Sequence, residues 1–165
     1  MNPSQAVYLG LKRARIDFIA SVPCINLCDL LKLVGSDSKI IHIPVTREEE
    51  GVGLCAGAWM GCRRTCLLMQ NSGLGNSINA LASLDLLYKI PLLMLLSHRG
   101  SAGETISGQI PMGRLTTKLL DAMEIPRFSP LPAEAEETVV QAWELSSELR
   151  RPAAVLFDIK FWRGA

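Results

Sequence analysis

Short apolar runs alternate with helix-length stretches from one end of the chain to the other, and this alternation limits the fold more than any other feature. Residues 18–22, 39–45, 65–70, 90–96 and 153–158 read as strands, with a shorter one at 126–128. Residues 3–14, 27–34, 74–88, 112–123 and 133–149 read as helices, and Thr46-Arg47-Glu48-Glu49 has the form of a capping box that opens another through about Gly61, with Thr46 as N-cap and Glu49 as its partner. The run 90–96 is short, bounded and Leu-rich, as a strand covered on both faces requires. Right-handed crossovers are the usual way to join such strands. The predicted fold class is therefore α/β: an open, mostly parallel six-stranded sheet with helices on both faces, formed as one domain over residues 1–165.

Charge and composition exclude several partners. Lys and Arg number 17 against 16 Asp and Glu, a net charge of +1, which leaves no electrostatic footprint for DNA or RNA. The first residues, Met1-Asn2-Pro3-Ser4-Gln5, lack a basic region and an apolar core, and no apolar run is of bilayer-spanning length, so no membrane association and a cytoplasmic location are expected. Five cysteines, an odd number, suggest reduced thiols. Cys24-x3-Cys28 and Cys62-x3-Cys66 resemble two halves of a zinc site only loosely, and buried structural thiols are expected for all but Cys24, with no metal ligand in this chain.

In open parallel sheets, ligands bind beyond the carboxyl ends of the strands. Four polar or glycine-rich clusters fall there: Pro23-Cys24, Thr46-Arg47-Glu48, Asn71-Ser72-Gly73-Leu74-Gly75-Asn76 and Ser97-His98-Arg99-Gly100. Each has an ordinary local reading. Glu48, Glu49 and Glu50 suit a helix N-terminus through the dipole alone. Gly73-x-Gly75 lacks the last glycine of a dinucleotide fingerprint and the Lys of a phosphate loop. His98 suits a structural role and Arg99 a solvated one, and there is neither a nucleophile elbow nor a convincing carboxylate pair. The polar stretch 97–111 is long enough to predict a functional loop, and closure of 101–110 over a ligand is left open.

The segment Glu48 to Ala58, followed by Met69-Gln70-Asn71-Ser72-Gly73-Leu74-Gly75-Asn76-Ser77-Ile78-Asn79-Ala80-Leu81, resembles the pyrimidine-binding domain of thiamine-diphosphate enzymes. Within that superfamily the chain is most similar to the sulfopyruvate and phosphonopyruvate decarboxylases, through Pro23-Cys24, the Gln70-Asn71-Ser72-Gly73-Leu74-Gly75-Asn76 run, Ser97-His98-Arg99-Gly100 and Gln109-Ile110-Pro111-Met112-Gly113. Its length and Thr46-Arg47-Glu48-Glu49-Glu50-Gly51 look like the separate alpha subunit of the former, which serves coenzyme M biosynthesis in methanogenic archaea.

The resemblance implies that Glu48 is the activating carboxylate, because the family pattern places a Glu four residues before the Val of this helix, here Val52. A carboxyl bonded to the aminopyrimidine favours the tautomer that removes the thiazolium proton. Asn71, Ser72, Gly73, Leu74, Gly75 and Asn76 are the implied cofactor contacts, expected as a turn against the ring. Pro23, Cys24, Arg47, His98, Arg99 and Gln109 are candidates for binding a small 2-oxoacid substrate. Glu50 is expected to be solvated or a subunit contact. The Gly-Asp-Gly motif that holds the diphosphate and Mg²⁺ in this superfamily does not occur here, which implies a beta subunit carrying it and a hetero-oligomer with at least two of each chain. A phosphonopyruvate decarboxylase subunit, a non-catalytic binding or regulatory subunit and a flavodoxin-like nucleotide-binding module are the alternative readings.

Overall fold

The computed structural model describes residues 2–163. Six strands, β1 (Phe18–Ser21), β2 (Ile41–Pro44), β3 (Thr65–Gln70), β4 (Leu93–Ser97), β5 (Arg127–Phe128) and β6 (Ala153–Phe157), form one sheet in the order β2-β1-β3-β4-β6-β5. Every neighbouring pair is parallel. Helices α1 (Pro3–Arg13), α2 (Cys28–Ser36) and α6 (Ala135–Leu149) cover one face, and α3 (Glu48–Met60), α4 (Asn71–Ala80) and α5 (Ile110–Ala122) the other. The predicted open parallel sheet is the one observed.

The strand pleat explains why the central runs are apolar throughout. Along β4, Leu93 and Leu95 pack with Val7, Leu11 and Val139 on one side, while Met94 and Leu96 pack with Val52, Leu74 and Leu120 on the other. All four β4 side chains are fully buried, and each such burial contributes about 1.5–3 kcal/mol. On the first face α1 and α6 come into closest approach at Gly10, where a Cβ would lie 2.7 Å from the Glu136 carbonyl oxygen.

From β1 the chain steps to β2 on one side and then crosses back to β3 on the other, so the direction reverses between β1 and β3. That reversal opens a crevice at the carboxyl ends of these two strands. At the opposite edge, the turns leading into β1, β3, β4, β5 and β6 pass through Arg15, Cys62, Lys89, Glu124 and Arg150, all with positive φ.

Several local expectations need correction. Helix α3 begins one residue later than the capping box predicts: Arg47 is the N-cap, in extended conformation, so the third helical residue is Glu50. The Glu50 carboxylate accepts from the Thr46 hydroxyl at 2.8 Å and from the Thr46 and Arg47 amides. Glu50 is the cap partner rather than a spare, and Glu49 pairs with Arg47 instead. Three consecutive glutamates make that register invisible to pattern alone. The Asn71 to Asn76 segment is the opening of α4, not a turn, because β3 runs directly into the helix with Gln70 as N-cap. Cys55 and Cys66 are buried as expected, whereas Cys28 and Cys62 are exposed; all five cysteines are free. A short helix α7 (Ile159–Arg163), not anticipated, follows β6. No helix among the described residues is long and apolar enough to cross a membrane.

Helix α4 continues into a π-helical stretch, Leu81–Leu86, that carries the fully buried Asp85. Neither carboxylate oxygen has a hydrogen-bond partner among the described residues, and burial pushes its pKa up to about 7. A pKa raised in the folded state adds stability below the unfolded value of 3.8, and that contribution is lost as pH rises through about 7. Asp85→Asn removes this loss. In urea titrations at about pH 5 and 8, the variant should gain on the wild type at the higher pH by on the order of a few kcal/mol. A stability difference that is the same at both pH values would mean that Asp85 titrates as an ordinary carboxyl.

Candidate active site

Glu48 is the first residue of α3 and, although charged, is only 8% exposed. The chain folds this way because Val52 and Cys55, one and two turns on, are drawn into the core and turn the start of the helix towards α4. Across the seam, Asn76 Nδ2 donates to Glu48 Oε2 at 3.0 Å. Oε1 takes no hydrogen bond from the described residues. Gly73 makes the approach possible: a Cβ there would fall 2.3 Å from Glu48 Cγ and 2.7 Å from Oε1. A carboxyl with one oxygen fixed and the other available, beside bare backbone, suits a flat heterocycle with a ring nitrogen to bond. Leu74, by contrast, is a fully buried core residue whose side chain turns away into the sheet.

The outer surface of the same two helices is apolar and open. Met60 is 62% exposed, and beyond α4 Leu87 and Tyr88 are 65% and 63% exposed. Added Cβ atoms at Gly53 and Gly57 would meet nothing within 4 Å. Exposed apolar area of this kind marks an interaction surface.

At the crevice, residues from four segments meet. Gln70, the last residue of β3, donates from Nε2 to Ser72 Oγ and to Gln109 Oε1, both at 3.0 Å, while Cys24 Sγ lies 3.8 Å from its Oε1. Asn26 Nδ2 donates to Ser97 Oγ at 3.1 Å, tying the end of β1 to the end of β4. Pro23 and Cys24 also line a cavity of about 530 Å³, together with Cys28, Leu31 and Lys32.

Asn71 is a clamp. It is 1% exposed, donates from Nδ2 to the Arg99 carbonyl and to Thr116 Oγ1, and accepts at Oδ1 from the Arg99 amide at 2.9 Å. With both ends of its amide spent on the β4 loop, it is committed to holding that loop. Gly75 sits near Met112 of α5.

Arg99, a solvated charge on its ordinary local reading and a substrate candidate by resemblance, is locked in place. Its Nε and Nη2 donate to Glu104 at 2.7 and 2.9 Å, and their side chains are 12% and 2% exposed. Glu104 also accepts from the amides of Gly100, Thr105 and Ile106. The Arg99 guanidinium, helped by these amides, holds the Glu104 carboxyl far below the usual carboxylate range. Gly100, at φ +76, packs so closely that a Cβ would meet the Gln109 carbonyl at 2.1 Å. The loop is thus a self-bonded unit.

The remaining candidates separate from this group. Arg47 is exposed and held by Glu49 at 2.6 Å, an interaction that, after the Glu49 backbone amide, draws the Glu49 pKa down. His98 bonds through Nε2 to the Gly113 carbonyl at 3.1 Å, so that nitrogen carries the hydrogen, and its ring lines a different cavity of about 340 Å³ with Ser129, Asp158 and Lys160. Residues the sequence did not single out are Asn26, Gln70, Glu104 and Thr116. Only Gln70, at a strand end, carried a positional signal.

No protein-family model matches the chain. It is 55% identical to sulfopyruvate decarboxylase subunit alpha of Methanococcus maripaludis over 163 residues, 98% of both chains. It is 36% identical to a sulfopyruvate decarboxylase of Methanosarcina acetivorans, matching all of this chain but 42% of that one. Phosphonopyruvate decarboxylase of Streptomyces viridochromogenes is 38% identical over 129 residues, 78% of this chain and 32% of that one. Among solved structures, a thiamine diphosphate-dependent 4-hydroxybenzoylformate decarboxylase from Rhodococcus jostii superposes with a TM-score of 0.72, at 17% identity, over 98% of this chain and 31% of its own. A 2-oxoglutarate:ferredoxin oxidoreductase from Magnetococcus marinus gives 0.74 at 16% identity, over 96% of this chain and 29% of its own. These structures share the fold.

Gly73→Ala should force Glu48 off Asn76 and lower the unfolding free energy by about 1–3 kcal/mol. Denaturant titration and a structure of the variant test this; an unshifted Glu48 side chain would refute the close approach.

Proposed function

The chain belongs to the sulfopyruvate decarboxylase alpha-subunit family, and from that premise we propose that it supplies the activating half of a thiamine-diphosphate site that converts 3-sulfopyruvate to sulfoacetaldehyde and CO2. The observation that carries the reading is Glu48, buried at the α3–α4 seam with Oε2 fixed by Asn76 and Oε1 available. In this role Glu48 holds a proton or hydrogen bond at a nitrogen of the aminopyrimidine, and the backbone at Gly73 and Gly75 with Ser72 lies against the ring. When bound, thiamine diphosphate supplies the carbon nucleophile that adds to the 2-oxo group and takes up the electron pair left by departing CO2. Asn71 and the Leu74 side chain support this surface from within.

The substrate's acidic groups are assigned to the crevice, where Arg99, Cys24, Pro23 and Gln109 border the strand ends. Arg99 is preferred to Arg47, which Glu49 holds at the surface, and to His98, whose ring lines the cavity beside β6. The diphosphate and its Mg²⁺ are assigned to a beta subunit seated on the apolar face of α3 and α4, with at least two of each chain in a cytoplasmic complex acting in coenzyme M biosynthesis. The relative from Methanosarcina acetivorans, of which this chain matches 42%, supports a second domain supplied from elsewhere. A non-catalytic subunit would have no use for a buried carboxylate kept half free.

Glu48→Gln, assayed in the complex with its beta subunit, should lower kcat by about 10²–10⁴-fold without loss of assembly, whereas Glu49→Gln should change it little. Near-normal turnover by the Glu48 variant would remove the assignment. The purified chain alone should turn over no sulfopyruvate, and full Mg²⁺-dependent activity without a second polypeptide would overturn the shared site.

A further inference from the structure

We propose that Glu104 is a specificity-determining residue: by neutralising Arg99 it makes the crevice accept a singly charged sulfonate and reject a doubly charged phosphonate. The inference rests on the preceding reading, with Arg99 at the acidic end of the substrate.

Glu104 engages Nε and Nη2 of Arg99, and Nη1 takes no partner among the described residues. The pair borders a cavity of about 250 Å³ that Asn26 and Thr105 share, with Ile25 and Ile106 as apolar walls. Three backbone amides and the guanidinium fix the Glu104 carboxylate, so the Arg99 fork has one orientation rather than a family of rotamers. Glu104 therefore acts through Arg99, as a positioning residue.

The same contact sets the charge that the cavity presents. The two side chains are 12% and 2% exposed and in direct contact, so the Glu104 charge acts at short range on whatever the guanidinium binds. Its carboxyl is held ionised well below neutral pH. An oxyanion at Nη1 gains hydrogen bonds from a cation whose charge is already balanced. That suffices for a sulfonate, which is a weakly basic monoanion. A phosphonate that has lost its second proton brings a further negative charge that meets no second cation among the described residues lining this cavity, and faces a fixed carboxylate behind the guanidinium. Selection by an uncompensated charge needs no steric difference between two tetrahedral groups of similar size.

The experiment compares sulfopyruvate and phosphonopyruvate as substrates of the complex with its beta subunit, as kcat/KM between about pH 6 and 8, where phosphoryl-type groups lose their second proton. In the wild type, preference for the sulfonate should weaken as pH falls and the phosphonate regains its proton. In Glu104→Gln, which keeps an oxygen for the loop amides, the preference at about pH 8 should fall by about tenfold or more, mainly through KM for phosphonopyruvate. A preference that is independent of pH in the wild type overturns the proposal even if the variant does not fold, and so does an unchanged preference in a folded variant. Turnover of neither oxoacid by the wild-type complex would instead take down the underlying function, and this inference with it.

Discussion

Parallel pairing of β3 with β1 on one side and β4 on the other is the constraint from which the rest follows. Parallel strands need crossovers, crossovers put helices on both faces, and covered faces demand strands that are apolar at every position. Because all strands point the same way, their carboxyl ends share one edge, and polar residues excluded from the sheet collect there. Cys24, Gln70 and Arg99 are far apart in the chain yet come together because the apolar strands before them have nowhere else to go, and the loop after β4 brings Gln109 to Gln70. The strained left-handed turns lie at the other edge, away from the chemistry.

How much of this could be read in advance depends on the range of the interaction. Strands and helices were legible because burial imposes a period, and the family register with Val52 pointed to Glu48, which is the buried one of the three glutamates. The cap was misassigned between Glu49 and Glu50 because three adjacent carboxylates satisfy the same local pattern, and only the backbone angle at Arg47 separates them. The resemblance makes Asn71 a cofactor contact, and what pattern did not show is that its side chain also holds the β4 loop. Its partners, Arg99 and Thr116, are distant in sequence, and their hydrogen bonds leave no periodic trace. Glu104 was missed for a related reason: within an aperiodic loop, nothing marks which carboxylate will fold back on the arginine. Cys28 and Cys62 were expected to be buried because their neighbours are small or apolar, but composition does not say which side of a helix or turn faces out.

The crevice is also economical with charge. Both arginines named as substrate candidates, Arg47 and Arg99, are paired with carboxylates. What distinguishes them is enclosure: the Arg47–Glu49 pair is exposed to solvent, which screens it, while Arg99 is held by a partner that is itself fixed. Fixing a guanidinium before a ligand arrives moves the entropic cost of ordering it from the binding step to folding.

The contact between Gly73 and Glu48 ties the histories of two positions that lie on separate helices. A side chain can enter at 73 only if the Glu48 side chain gives way, because even a methyl group would overlap its carboxyl. A lineage that gave up the carboxylate would release the glycine, whose lack of a side chain then confers nothing on a helix and weakens it. A side chain at 73 would therefore imply that the acid has moved or been lost, a dependence that can be scored from sequence without a single assay.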